Sequence, residues 1–215
     1  MPYRETEKMR RRKAAARQRI LEATRHCVAE GGFGQATISR VAREADVATG
    51  TVYRHFESKE ALFAEVFRQA TQREVDKVTE ALAGDEPAPA RLERALRRFA
   101  HRALRGPTIA WSLIAEPVDP KVERERLQYR EAYAFQFRQA IDDGIRETSL
   151  PPQNADITAT CLVGAIAESL VGPLAPAHRD RYTGLENAQQ ETLIEPIIRF
   201  CMQALTGRGG DNERT

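Results

Sequence analysis

The sequence predicts an all-α protein, and three observations carry that reading. Apolar residues recur three and four positions apart, and period-two alternation never persists. Runs of β-branched residues are absent. Glycine and proline cluster at Gly31-Gly32, Gly84 to Pro87, Gly106-Pro107, Pro151-Pro152 and Gly172-Pro173, cutting the chain into pieces of helical length.

The first helix is expected over about 14–30, with Ile20, Leu21, Cys27 and Val28 inward and Gly31-Gly32 ending it. Ile38, Val41, Ala42 and Ala45 fall at i, i+3, i+4 and i+7, so a short second helix follows, with Thr37 placed to cap it. Ala45-Asp46-Val47 supplies a turn, and Asp tolerates the left-handed conformation such turns often need. In the third helix Val52 and Phe56 sit one turn apart for the core. Its other flank carries Thr49, Gly50, Thr51, Tyr53, Arg54 and His55. Ser58 caps a long fourth helix running through Leu62, Phe63, Val66, Phe67, Val75 and Val78 to about Ala83.

A fifth helix is expected over about 90–104 and a sixth over 108–116, the latter carrying the sole tryptophan, Trp111. Asp119 followed by Pro120 pairs a cap with a first-turn proline and starts a seventh helix that runs to about Thr148. Asn154 or Asp156 opens the eighth, apolar nearly all round from Ile157 to Val171 and stopped at Gly172-Pro173. The ninth ends near Leu205 and Gly207. Pro196 inside it either kinks the helix or marks a packed part that begins only after Thr192. No internal repeat is visible.

At 215 residues, 41% hydrophobic and 30% charged, the chain is expected to be a soluble globular protein of one large or two modest domains. No apolar run is expected to approach the ~18 residues of a membrane span, and the basic N-terminus lacks the apolar segment of a secretory signal. Cys27, Cys161 and Cys201 each fall in a helical apolar pattern, which suits reduced, buried thiols in the cytoplasm. The net charge of +2 hides an asymmetry: residues 1–60 hold 13 Lys/Arg against 8 Asp/Glu, and the rest hold 20 against 23. A basic head on a slightly acidic body suits a polyanion contact at one end. RRRKAAARQR reads by itself as a solvated tail, and beside a helix-turn-helix as a phosphate-binding arm.

Small residues at the start of the third helix, with hydrogen-bonding groups after them, suit an N-terminal end that enters a major groove. The window closely resembles the helix-turn-helix of the tetracycline-repressor (TetR) family of bacterial transcription regulators. Thr37, Ile38, Ala42, Ala45, Val47, Gly50, Thr51, Val52, Tyr53, Phe56, Lys59, Glu60 and Leu62 carry the resemblance, which covers about the first quarter of the chain. Two positions depart: Asp46 stands where the family usually has Gly, and Ala48 where a small hydroxyl residue is common. The second departure leaves Thr49 as the expected cap of the third helix.

The resemblance implies an N-terminal three-helix DNA-binding domain and a C-terminal helical ligand-binding and dimerisation domain, about nine helices in all. The expected divisions are a flexible basic arm at 1–13, the helix-turn-helix domain at 14–60, an effector-binding and dimerisation domain at 61–207, and a disordered tail at 208–215. Thr49, Gly50, Thr51, Tyr53, Arg54 and His55 would then face double-stranded DNA, with Gly50 admitting close backbone approach and Tyr53 reaching a phosphate. Thr37 and Lys59 match phosphate-contacting positions, and Arg40 could reach a base or the backbone. For Tyr53 the plainer reading is packing against Phe56; for His55 it is a surface histidine with no role in the groove.

Tyr129, Tyr133, Phe137 and Ile141 recur every four residues. With Phe99 and Trp111 they read either as plain core or as the lining of an apolar cavity for a small-molecule effector. Glu168, the sole charge of the eighth helix, is expected to be buried against Arg102, Arg126 or Arg130, or against a cationic group of a ligand. Leu162, Val163, Ile166 and Leu170 of that helix, with Ile194, Ile197, Ile198, Cys201 and Leu205 of the ninth, exceed one face, while Gly164, Ala165 and Ala167 permit close approach. The family pattern makes these two helices a homodimer interface, and a two-fold dimer would read a palindromic operator.

Implied overall is a ligand-released repressor, the family relay passing from the sixth helix to the fourth and placing Trp111 beside it. No membrane partner, cofactor or metal is expected: there is no phosphate loop, metal-ligand spacing or nucleophile–base pair, and His26, His55, His101 and His178 are dispersed. A helical enzyme and a sequence-indifferent architectural DNA binder are the competing classes.

Overall fold

A computed structural model describes residues 7–178, 181–182 and 184–207. Its described residues hold nine α-helices and no strand: α1 (Glu7–Gln35), α2 (Ile38–Glu44), α3 (Thr49–His55), α4 (Lys59–Leu82), α5 (Ala88–Arg105), α6 (Pro107–Ile114), α7 (Pro120–Arg146), α8 (Ala155–Leu174) and α9 (Asn187–Thr206). The all-α expectation holds, with every helix present. The first six residues of the basic arm and the tail from 208 lie outside the described residues.

Four expected caps are made by side chains accepting from the first turn: Thr37 Oγ1 from Arg40 N at 3.2 Å, Ser58 Oγ from Ala61 N at 3.1 Å, Asp119 Oδ1 from Lys121 N at 2.8 Å, and Asn154 Oδ1 from Ile157 N at 3.0 Å. Asn154 rather than Asp156 therefore opens α8. Asp46 adopts φ 51°, the left-handed turn anticipated for it.

Other boundaries move. From Glu7 to Lys13 the expected flexible arm is an exposed helical extension of α1. The break at Gly32 (φ 78°, ψ 178°) is real, but helical hydrogen bonding resumes to Gln35. The cap of α3 is Ala48, whose side chain makes no capping bond, so Thr49 is the first helical residue and not the cap. The last turn of α8 runs through Gly172-Pro173 to Leu174, because proline's fixed φ is compatible with a helix and it forfeits only one backbone bond there. Pro196 likewise sits inside a continuous α9. It is exposed, while Gln190, Ile194, Ile198, Cys201 and Leu205 are buried along the opposite side and hold the helix together across it.

Burial divides into two clusters. One gathers Ile20, Cys27 and Val28 of α1, Val41 of α2, Val52 of α3, Phe56 after it, and Leu62, Phe63, Val66 and Phe67 of α4. The other joins Val75 and Val78 of α4 to Leu92 and Leu96 of α5, Phe137 and Ile141 of α7, Ile166 and Leu170 of α8, and Ile194 and Ile198 of α9. The head cluster thus continues to Phe67, past the division at 60 suggested by the sequence, and takes in Val122 of α7.

Cys27 and Cys201 are buried as expected, and burial raises both thiol pKa values, that of Cys201 to about 11. Cys161 is exposed on α8, contrary to expectation, because the inward side of that helix is taken by Leu162, Val163 and Ile166. By length and composition α8 does reach the apolarity of a membrane span, with a mean hydropathy of 1.6, contrary to the expectation that no apolar run approaches that length.

Replacing Asp46 by glycine removes a Cβ from a left-handed, exposed position. Asp46→Gly is expected to raise stability by about 0.5–1 kcal/mol in urea unfolding, since the strain relieved exceeds glycine's entropy cost there.

Candidate functional site

α3 is pinned from below. Val52 and Phe56 are buried, and the Arg17 guanidinium lies 4.9 Å from the centroid of the Phe56 ring while pairing with Glu65 of α4. The opposite flank is open. Thr49, Gly50 and Arg54 are exposed, Tyr53 is 52% exposed, and Thr51 accepts a 2.7 Å hydrogen bond from Arg54 Nη2. A Cβ added to Gly50 would meet nothing within 4 Å, so the protein's own packing does not call for glycine there. Tyr53 is thus half exposed beside a buried Phe56 that is only 6% exposed.

Four expected positions are more constrained. Half-buried His55 has its pKa lowered, first by burial and then by the charges of Lys13, Arg17 and Arg54, so the basic start of α1 lies beside the end of α3. Arg40 is tied to Glu30 of α1 by an ion pair and could reach outward only by exchanging it. Lys59, in the first turn of α4, holds its ammonium 5.0 Å from the Phe63 ring centroid. Thr37 is exposed at the start of α2, its hydroxyl already used as a cap.

This arrangement, a rod with one buried side and one polar, hydrogen-bonding side beside a basic helix, matches the chemistry of groove reading. Residues 20–66 match the family model described as bacterial regulatory proteins, tetR family. Over that segment the chain is similar to the N-terminal domain of the TetR family. It is 38% identical over 60 residues to an HTH-type transcriptional repressor of Mycobacterium tuberculosis, covering 28% of this chain and 32% of that one. Against an uncharacterized HTH-type transcriptional regulator of Bacillus subtilis it is 27% identical over 149 residues, 65% and 74% of the two chains. The match thus spans only about a third of the length of the mycobacterial relative. A likeness in fold extends over the body: the regulator FadR of Bacillus subtilis, solved with stearoyl-CoA, superposes with a TM-score of 0.71 over 87% of this chain and 98% of its own at 16% identity.

Within the body, a cavity of about 300 Å³ lies among α1, α4, α5, α6, α7 and α8. Phe99, Tyr129, Tyr133 and Phe137 line it, as the sequence suggested. Tyr133 packs edge-on to Phe99 at 5.6 Å, and burial drives its phenol pKa far up. The Tyr129 hydroxyl donates to the Arg68 carbonyl at 2.8 Å. Two expected residues are elsewhere. Trp111 is half-buried against the body core without lining the cavity, because Ile109, Ala110 and Leu113 present that side of α6. Glu168 is exposed and not buried against an arginine; Arg102 is taken by Glu74, and Arg126 by Glu123 and backbone carbonyls. Glu168 instead edges an adjacent hollow that shares Arg130, Val163 and Ala167 with the cavity.

Several residues that sequence reading missed hold α6 in place. Buried Arg126 of α7 donates to the Leu113 carbonyl at 3.1 Å, the Ser112 carbonyl at 3.3 Å and the Glu116 carbonyl at 2.6 Å, and lies 5.9 Å from the Phe67 ring centroid. Burial lowers its pKa; Glu123 opposes that shift and nearby Arg130 adds to it. The Glu116 carboxylate accepts from the backbone N–H groups of Phe33 at 3.0 Å and Gly34 at 2.9 Å, clasping the end of α1. A Cβ on Gly32 would lie 2.7 Å from that carboxylate, and φ there is +78°, so both space and conformation call for glycine. The glycine cluster was a visible signal; nothing in the sequence paired it with position 116.

Glu116→Ala is expected to cost about 1 kcal/mol, by leaving the partly covered Phe33 N–H without its carboxylate while the exposed Gly34 N–H turns to water. Hydrogen exchange at the Phe33 and Gly34 amides is expected to quicken at least ten-fold, while the amides of α8 and α9 keep their protection.

Proposed function

We propose that the protein is a sequence-specific DNA-binding transcriptional regulator: a cytoplasmic, homodimeric repressor released from a palindromic operator by a small-molecule effector held in the body cavity. One observation carries the reading. Val52 and Phe56 anchor α3 inward and leave Thr49, Thr51, Tyr53 and Arg54 free to meet a duplex. Lys59, Thr37 and the basic face of α1 then supply phosphate contacts that fix register, and the side chains of α3 supply base readout.

Dimerisation through α8 and α9 is supported by what those helices leave outside, which differs from the residues the sequence put forward. Leu162, Val163, Ile166, Leu170, Ile194, Ile198, Cys201 and Leu205 are spent on the chain's own core. Ile157 and Phe200, each 62% exposed, remain outside with Cys161, Gly164, Pro196 and Ala204. Small residues beside large apolar ones permit close helix approach across a two-fold axis.

Effector release is supported by the position of α6. Its Ile109, Ala110 and Leu113 form cavity wall, and the residues at its end hold Arg126 and clasp α1 through Glu116. A ligand that binds better when α6 is shifted would favour a head spacing unsuited to the operator, by differential affinity alone. In this reading Glu116 gives α6 a route to α1 beside the expected one to α4. Activation in place of repression uses the same surfaces and is separated by the effect of deletion on the neighbouring genes.

Selection of duplexes from a random pool is expected to yield a palindromic consensus. The pair Tyr53→Ala and Lys59→Ala is expected to weaken binding to it at least ten-fold while the protein stays folded, the lost Lys59–Phe63 contact lowering the melting temperature by no more than about a few degrees; retention of full affinity would sink the reading. Phe200→Glu is expected to convert a dimer to a monomer in sedimentation at micromolar protein, through a buried, unpaired charge.

A further inference from the structure

The charges that line the body cavity itself are one-sided, Glu131 and Glu168 lying in the adjacent hollow. The cavity lining holds five arginines (Arg25, Arg73, Arg102, Arg126 and Arg130) against a single acid, Glu74, over an apolar floor of Phe67, Phe99, Phe137, Val163 and Ile166. Two arginines are already committed. Arg102 makes a two-pronged pair with Glu74 at 2.5 and 2.7 Å, which also uses up the sole acid, and Arg126 is held by Glu123 and three carbonyls. Arg25, Arg73 and Arg130 make no hydrogen bond or ion pair among the described residues, and all three are exposed, so they stand at the mouth and not on the floor. Tyr133, buried on the cavity wall, likewise makes no hydrogen bond among the described residues.

Resting on the reading of this cavity as the effector site, we infer that the effector is an anionic amphiphile: a short apolar tail on the aromatic floor and a carboxylate or other acidic head among the arginines at the mouth. A cationic ligand would meet an acid already neutralised and a surplus of like charge. A neutral apolar ligand would leave the cluster of arginines uncompensated. At about 300 Å³ the cavity stands at the small end of ligand sites, so the tail is short or of medium length. The arginines come from different bodies of the fold, Arg25 from α1 of the head cluster and Arg73, Arg102 and Arg130 from α4, α5 and α7. An acid bridging Arg25 to the others would join head to body at the same junction that Glu116 clasps.

The test is calorimetric titration of the full chain with three molecules sharing an eight-carbon tail: octanoate, 1-octanol and octylammonium. Octanoate is expected to bind at least ten-fold more tightly than octanol, the margin of a charge-assisted hydrogen bond, with no saturable binding of octylammonium. The double variant Arg25→Gln, Arg73→Gln lies at the surface and is expected to fold normally. It should lose at least ten-fold in octanoate affinity and keep its octanol affinity unchanged. Octanol or octylammonium binding as tightly as octanoate, or an unaltered octanoate affinity in the variant, overturns the acidic-head assignment and leaves the cavity as an effector site. Failure of all three to bind removes the cavity reading itself.

Discussion

A helix that contributes side chains to two separate cores cannot move in one without straining the other, and α4 is such a helix. Leu62, Phe63, Val66 and Phe67 lie in the head cluster, and Val75, Val78, Ala81 and Leu82 in the body cluster, on one unbroken rod. Close packing makes each cluster resist small displacements and yield to discrete ones. The orientation of α3 is therefore referred to the body through α4, with Arg17 stacked on Phe56 and paired with Glu65 fastening α1 to both.

The second connection between head and body is polar and smaller. Glu116 holds the end of α1 by two backbone hydrogen bonds, and Arg126 holds the end of α6 by three carbonyls and rests on Phe67. Both act at the tip of a short helix whose Ile109, Ala110, Leu113 and Ile114 form cavity wall. Charge-assisted bonds to backbone are directional, so a modest shift of α6 breaks or remakes them where an apolar contact would only slide. A directional polar clasp beside a close-packed apolar rod is the arrangement that the proposed coupling of a body ligand to the head would use.

The outer faces of α8 and α9 illustrate how burial redistributes an apolar surplus. The residues with the greatest apolar content along these helices pack against α5 and α7, leaving an outward strip that mixes small residues with Ile157 and Phe200. Such a strip is poorly suited to water and well suited to a second helix pair.

Much of this architecture was legible in the residues. Helix periodicity and cap chemistry at Thr37, Ser58, Asp119 and Asn154 located the helices, and the spacing of Val52 and Phe56 named both the buried and the free flank of α3, because local hydrogen bonding and side-chain direction depend on neighbours in sequence. The aromatic stripe at Tyr129, Tyr133 and Phe137 reached the cavity for the same reason. Other assignments required the folded chain. That Glu168 faces out while Arg126 is buried, that Trp111 misses the cavity, and that Glu116 meets Phe33 and Gly34 across some eighty positions all depend on which face of one helix another happens to cover. Periodicity shows that a helix has an inner side; only packing against partners distant in sequence settles which residues near its edges are buried and which charges they meet.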